Sequence, residues 1–363
     1  MIYKKIAEKT TDINYKAIGF SGNTALHLLV ANTREIMFSS ELNNELRDAN
    51  QVYIGGQKLV VVDEDLTLAG LGGIRLSDGY TVNQEKTLRI TKFLTDRGAD
   101  INAQNDEGLT PFFMACTHKF NYLASCFVSQ FWLDFSIKDF NDQTALHYAA
   151  LLEDTSILQL ILNKGVDINS RNSGGGTPLY CAVHNNKKPI VEFLLNKGAD
   201  VNIPNNDGIH ILHVAVGINS LELIKLLVKY GDINIRSSND TKITALWLAS
   251  QDGRLDIVKA LADLGADLNI IRADTGASPL YIATHQKRIA VVEELLARGA
   301  DVNIPNNDIY PLHLAVNINS LELVKLLVKY GDINIRSSND TKITALWLAS
   351  QDGRLDIVKA LAD

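Results

Sequence analysis

Apolar positions along this chain follow a two-helix rhythm. Between Thr177 and Asp207, Ile190, Val191, Leu194 and Leu195 fall at helical spacing and define one stripe to be buried. A shorter helix is predicted just before it. Thr177 suits the N-cap, where its hydroxyl accepts from an orphan N–H. Pro178 suits the first helical position, where no N–H is needed. Gly198 suits the left-handed position that ends the second helix. Asp200–Asp207, rich in Asn, Asp and Pro, reads as an extended turn.

This frame returns down the chain. Thr144–Asn169, TALHYAALLEDTSILQLILNKGVDIN, is a second clear copy. The opening position recurs as Thr24, Thr110, Thr144, Thr177, His210, Thr244, Ser278, Tyr310 and Thr344. From Thr110 onward the spacings are 34, 33, 33, 34, 34, 32 and 34. A fixed period of this size signals stacked structural repeats. One such unit cannot bury its apolar face, so each must rest on its neighbours, and stability becomes roughly a sum of repeat and interface contributions.

The motif T-A/P-L-H, a helical pair, then G-A-D-V-N at a period near 33 resembles the ankyrin repeat. Thr144–Asn169 and Thr177–Asn202 are the best copies. The resemblance implies an all-α solenoid of nine helix-turn-helix repeats, with one inserted module containing a β-hairpin. It implies that partners use the turn fingers and the concave face of the first helices. It also implies that the motif histidines, His27, His147, His213 and His313, bond within and between neighbouring repeats.

Residues 1–20 read as an N-terminal cap, and 21–109 as the first repeat. In that repeat Gly98 comes 74 residues after Thr24, where the frame expects 21, so about 53 residues are inserted. The insertion lies at about 37–84. Ser39–Ala49 could form a polar helix; QVYIGGQKLVVV at Gln51–Val62 reads as a hairpin around Gly55-Gly56; Leu66–Val82 is Gly-rich. Insertions in repeat arrays map to one face, often the binding face.

Residues 110–363 hold eight further repeats. The first departs most, with Phe113 in place of His and Trp132-Leu133-Asp134 in place of Gly-Ala-Asp. Its bulky Phe127, Phe131, Trp132 and Phe135 are expected to pack locally, against the insertion. Later, Leu212–Asp263 matches Leu312–Asp363, differing only at Val214/Leu314, Gly217/Asn317 and Ile224/Val324. A three-repeat block has been duplicated. No polar capping helix closes the array at Asp363. Bare apolar surface is therefore expected around Leu346, Leu348, Ile357, Val358 and Leu361, with end fraying or end-to-end self-association.

Composition narrows the function. The chain is 46% hydrophobic and 21% charged, as ordered proteins are, and its net charge is −7. That balance disfavours nucleic-acid or anionic-membrane binding through the overall field. Cys116, Cys126 and Cys181 form no pairing or metal pattern and read as reduced core residues. No apolar run is long enough for a signal peptide or a membrane span, so a soluble protein is expected. Walker, nucleophile-elbow, HExxH and CxxC patterns do not occur, and Leu68–Gly73 lacks the lysine of a phosphate loop. The chain is therefore expected to have no catalytic residue, metal or cofactor, and not to be an enzyme.

The expected partner is another protein, not nucleic acid, with no membrane insertion. The ends of the first helices supply candidate contacts: Thr117 and His118, Leu151 and Leu152, His184 and Asn185, Gln251 and Asp252, His285 and Gln286. Asn206, Lys242 and Asn307 add finger-tip contacts. Asn202 and Asn303, each with a Leu eight residues earlier, resemble the asparagines that hydroxylases modify in ankyrin proteins. The alternative is that such an Asn only bonds its own turn. The leading reading is an interaction scaffold. An alternative is a secreted bacterial effector or adaptor whose insertion carries a separate activity or targeting role, since the chain looks similar to multi-repeat ankyrin proteins of intracellular bacteria. The location is then the cytoplasm or, for an effector, a host cell.

Overall fold

The structure is a computed structural model. It describes Thr24, Leu26, His27, Val30, the strand residues 51–54 and 57–60, Leu88, Thr91, Lys92, residues 94–96, and then 98–362 except 131 and 338–341. The chain divides into two compact units, Met1–Ser173 and Gly174–Asp363.

In the first unit, β1 (Gln51–Ile54) and β2 (Gln57–Val60) pair antiparallel, with Gln51 opposite Val60 and Ile54 opposite Gln57. Residues 55 and 56, where the turn of a hairpin is expected, lie outside the described residues. The cap at 1–20, the helix at 39–49 and the stretch 66–82 lie outside the described residues. Two helix pairs follow: α1 (Pro111–Thr117) with α2 (Asn121–Val128), and α3 (Ala145–Ala149) with α4 (Thr155–Leu162). Their core is formed by Phe112, Leu123, Phe127, Leu146, Ile157, Leu158 and Ile161, all essentially inaccessible. Phe113, standing where a His is usual, stacks on Tyr148 at 4.4 Å between ring centroids. The expected cluster of bulky residues against the insertion is corrected in part. Phe127 is core of its own repeat, whereas Trp132 is 56% exposed. Phe131 lies outside the described residues.

The second unit is built of six helix pairs. Its inner helices are α5 (Pro178–His184), α7 (Ile211–Gly217), α9 (Ala245–Asp252), α11 (Pro279–His285), α13 (Pro311–Asn317) and α15 (Ala345–Gln351). Its outer helices are α6 (Lys188–Asn196), α8 (Leu221–Leu227), α10 (Leu255–Asp263), α12 (Ile289–Ala297), α14 (Leu321–Leu327) and α16 (Leu355–Ala362). Each inner helix packs on the next inner helix, and each outer on the next outer. Helices this short are marginal alone, so packing and caps hold them. Leu179, Ala182, Ile190, Val191 and Leu194 are buried as their spacing predicts.

The caps form where the frame places them. Thr110, Thr177 and Thr244 hydroxyls accept from the N–H groups of Phe113, Tyr180 and Trp247, each at 3.2 Å. Where His210 and Tyr310 replace Thr, α7 and α13 carry no side-chain cap bond. Gly198 closes α6 at φ +87°, and the Ala199 N–H bonds back to the Leu194 carbonyl at 3.0 Å.

Fingers link repeat to repeat through their backbones. Within the first unit Ser173 N–H donates to the Asn141 carbonyl at 2.8 Å. Within the second, Asn206 N–H donates to Gly174 at 2.9 Å, Ser238 to Gly208 at 2.7 Å and Ala273 to Thr241 at 2.8 Å. The short spacing before Tyr310 has a structural cause. The 205–209 finger has Gly208 at φ +76°, but its copy lacks a counterpart to that residue. Asn306 and Ile309 instead exchange both backbone bonds at 3.0 Å across Asn307 and Asp308, at φ +44° and +66°. Two positive φ values are what a primed two-residue turn demands. Among the described residues, no backbone bond joins this finger to the one at 272–276.

In the last repeat the expected bare surface is present at Leu346 and corrected at Ile357 and Leu361. Leu346, Trp347 and Leu355 are 38%, 51% and 62% exposed, while Ile357 and Leu361 are buried. In the earlier copy Leu246 and Trp247 are covered, and the Trp247 indole N–H reaches the Ala277 carbonyl at 3.0 Å.

Gly208 offers a sharp test of finger coupling. A Cβ there would lie 2.5 Å from the Asn239 backbone nitrogen, besides demanding positive φ. At Gly198 the space is open and only φ is at issue. Gly208→Ala is expected to lose more than about 1 kcal/mol and more than Gly198→Ala, as read by urea unfolding. Equal losses would show that the finger contact contributes nothing.

Candidate partner-binding surface

The candidate contacts sit where inner helices end. Thr117 is exposed, with its hydroxyl donating to the Phe113 carbonyl at 3.0 Å, and His118 lies 5.8 Å from the Phe120 ring. Leu151 is half-buried. Leu152 is a correction, because it is fully buried. Helix α3 stops at Ala149, and the Leu152 N–H bonds back to the Ala149 carbonyl at 3.0 Å, turning the side chain inward. These residues belong to the first unit.

In the second unit His184, Asn185, Asp252, His285 and Gln286 are exposed, and Gln251 is half-buried. Asn185 is anchored by its amide to the Cys181 carbonyl at 2.9 Å. Gln251 gives its carbonyl to Arg288 at 3.2 Å, and Asp252 holds Arg254 at 3.0 Å. The finger-tip residues Asn206, Lys242 and Asn307 are all exposed.

One feature was missed from the sequence. An open groove of about 640 Å³ is lined by Gly217, Ile218, Asn219, Arg254, Leu255, Asp256 and Ile257. Arg254 spans it, donating to the Val216 carbonyl at 2.6 Å. The available signal was a basic residue recurring just before the outer helix, as Lys187, Arg254, Arg288 and Arg354.

The motif histidines hold the stack. His147 Nδ1 accepts from the Thr144 N–H at 3.1 Å. His27, His213 and His313 reach forward through Nε2 to the carbonyls of Leu109, Ile243 and Ile343, at 2.7, 3.0 and 3.0 Å. Where Thr is replaced, Nδ1 of His213 and of His313 is buried without a hydrogen bond. Burial pushes the His213 pKa down to about 4, and it lowers those of His210 and His313.

Asn202 and Asn303 are exposed, and their N–H groups bond Asp200 and Asp301 at 2.8 Å. The corresponding side chains of Asn102, Asn234 and Asn269 do not serve their own turns. Each accepts at 2.9 Å from the N–H of the next repeat's Asp, namely Asp134, Asp267 and Asp301. Asn202 and Asn303 make no such bond, because the following repeats read Gly-Asp, one residue shorter than Gly-Ala-Asp.

Cys116, Cys126 and Cys181 are free thiols, and burial raises all three, Cys181 to about 11. Among the described residues no three His, Cys, Asp or Glu side chains are grouped to hold a metal ion. Among those same residues no helix is long and apolar enough to cross a membrane.

The family profile for ankyrin repeats in three copies matches residues 80–172, 153–237, 212–306 and 280–363. The chain belongs to the ankyrin-repeat family. It is similar to ankyrin repeat protein OPG189 of variola virus, at 29% identity over 94 residues, which is 26% of this chain and 17% of that protein. It is similar to human transient receptor potential cation channel subfamily A member 1, at 28% over 193 residues, covering 51% of this chain and 14% of the channel. Putative ankyrin repeat protein FPV024 of fowlpox virus matches at 28% over 99 residues, 27% of this chain and 17% of the relative. This ankyrin chain therefore spans less than a fifth of the length of those relatives. None of the three is bacterial, so the likeness to bacterial proteins in particular remains an expectation.

His213 gives a pH prediction for the repeat stack. Its folded pKa is depressed, so its contribution is present above the unfolded value of 6.5 and is lost as pH falls toward about 4. The loss is on the order of 3 kcal/mol at about 1.4 kcal/mol per unit. Melting of the 174–363 repeats should fall between pH 7 and pH 4.5, and His213→Gln should flatten part of that dependence. An NMR titration placing His213 near its ordinary pKa would contradict the assignment.

Proposed function

We propose that this ankyrin chain is a protein-interaction scaffold. Its partner contacts the inner-helix ends and finger tips, chiefly His184, Asn185, Asp252, His285 and Gln286 with Asn206, Lys242 and Asn307. The observation that carries this reading is their shared exposure at the inner-helix ends and finger tips of several repeats. Those side chains contribute little to the fold, whereas the buried residues beneath them account for it. Thr117, His118 and Leu151 make a separate, smaller set on the first unit. The scaffold comprises nine repeats, the first interrupted by the 37–84 insertion, and has no catalytic role.

A second reading keeps the scaffold and assigns the insertion its own activity or targeting role, as in an effector exported into a host cell. The pairing of β1 with β2 supports a locally ordered element there. On the same footing, Asn202 and Asn303 are modification sites freed from the bonds that hold Asn102, Asn234 and Asn269. Mass spectrometry of the native protein tests that assignment.

Proximity labelling in the native cell identifies the partner. Replacing His184, Asn185, His285 and Gln286 by Ala should weaken its binding at least about tenfold, or roughly 1.4 kcal/mol, with unchanged melting. Full affinity in that variant would remove the concave surface from the site. Deleting 37–84 should leave that affinity and the helical content intact. Loss of a cellular activity with binding retained would favour the second reading.

A further inference from the structure

The duplicated block contains its own control for what the fold needs. Residues 177–197 and 278–298 are its two copies of one repeat. In the core Leu179/Leu280, Ala182/Ala283 and Leu194/Leu295 persist, while Val183/Thr284 and Ile190/Val291 change. At the surface His184/His285 persists, while Asn185/Gln286, Asn186/Lys287 and Asn196/Ala297 differ, as does exposed Lys188 against half-buried Ile289. Leu212–Asp263 and Leu312–Asp363 belong to the same block yet differ at three positions only. Two of these, Val214/Leu314 and Ile224/Val324, are buried. The one exposed difference is Gly217/Asn317, on the inner-helix side. The two parts of the block differ in how far their copies have diverged, and the surface kept identical in both copies includes the outer-helix ends.

That surface has a definite chemistry. Lys225, Lys229 and Tyr230 are exposed at the end of α8, as are Lys325, Lys329 and Tyr330 at the end of α14. The tyrosines are 44% and 49% exposed. Among the described residues no ammonium group of these four lysines is in an ion pair or side-chain hydrogen bond. At neighbouring outer-helix ends, by contrast, Lys197 lies over the Phe193 ring and Arg298 binds Asp263 and Glu294. Two like charges at i and i+4 disfavour the helix slightly. A helix C-terminus favours nearby cations, which accounts for a lysine there but not for an exposed tyrosine beside it. Nor does the tyrosine hydroxyl explain its retention. Tyr230 donates to Asn196 at 2.8 Å, but the counterpart of Asn196 is Ala297 and Tyr330 is present all the same.

We infer that Lys225–Lys229–Tyr230 and Lys325–Lys329–Tyr330 are two equivalent docking sites for an acidic protein segment with an apolar anchor. A partner carrying two such segments is held by both. The inference rests on the scaffold reading but places this contact on the outer helices. The paired cations attract carboxylates, and the tyrosine offers the amphipathic ring favoured at interfaces. The chain's net charge of −7 favours a protein over a nucleic acid as the source of negative charge.

The test pans a random dodecapeptide display library against the full chain. Enriched peptides should be acidic, with an aromatic or aliphatic residue. By calorimetry, one such peptide should bind at two equivalents per chain. Lys225→Glu with Lys229→Glu should leave one equivalent, as should Lys325→Glu with Lys329→Glu, and all four together none. The four Lys→Arg changes should retain both. A tandem peptide should bind at least roughly 10²-fold tighter than the single one and lose that gain in either double variant. Circular dichroism and melting should not change, since the replaced side chains are exposed. Non-acidic enriched peptides, one equivalent on the unaltered chain, or binding that survives four reversals would overturn the inference while leaving the scaffold reading standing. Displacement of the peptide by duplex DNA or anionic vesicles would show a general polyanion surface and overturn it as well. Failure to capture any peptide or partner protein would remove the scaffold reading too.

Discussion

A pair of helices this short cannot bury its own apolar face. Everything else depends on that constraint. Inner helices must lie on inner helices and outer on outer, and from α3 onward the contact is made by a recurring pattern: Leu-x-x-Ala on the inner helix, and on the outer an adjacent aliphatic pair with Leu or Ile three residues after it. The motif histidine works at the same seam. In His27 and His147 the ring accepts the N–H at the helix start, and in His27, His213 and His313 its Nε2 donates to the next repeat's carbonyl. The fold is thus assembled from neighbour contacts, with each repeat specifying the position of the next.

Most of this was legible because the signals are local and periodic. Thr177, Pro178 and Gly198 act on the backbone within one turn of themselves, so their roles follow from position alone. The forward bonds of His27, His213 and His313 came through family resemblance. What could not be read depends on where a helix stops or how long a turn is. Leu152 occupies the same frame position as Asn185, but α3 ends early and draws it into the core. Asn202 and Asn234 are both turn asparagines, yet only one meets a following Asp, since a single missing alanine shifts the partner out of reach. The Arg254 groove arises from two repeats together. Phe113 illustrates a third case: its stacking on Tyr148 replaces a hydrogen-bonded seam by an aromatic one, and pattern alone does not choose the partner ring.

Exposure along the proposed surface was legible in part. Frame positions located the exposed Thr117, His184, Asn185, Asp252, His285 and Gln286, while His118, Leu151 and Gln251 are half-buried and Leu152 is buried. The outer-helix lysines and tyrosines do not stand out in the sequence, since single lysines near a helix end are ordinary. They become informative only beside their copies, where the loss of Asn196 and the retention of Tyr330 separate what the fold uses from what it merely carries.

The shortened finger at 306–309 has a consequence for how the second unit presents itself. From Gly174 to Ala273 the fingers are stitched to one another, each giving a backbone N–H to the one before. At Asn306–Ile309 the stitch is dropped, because a turn closed on itself has both its bonds internal. At this point neighbouring repeats are held by their helices, inner on inner and outer on outer, without the backbone link that ties the preceding fingers. One residue of length is enough to remove that link.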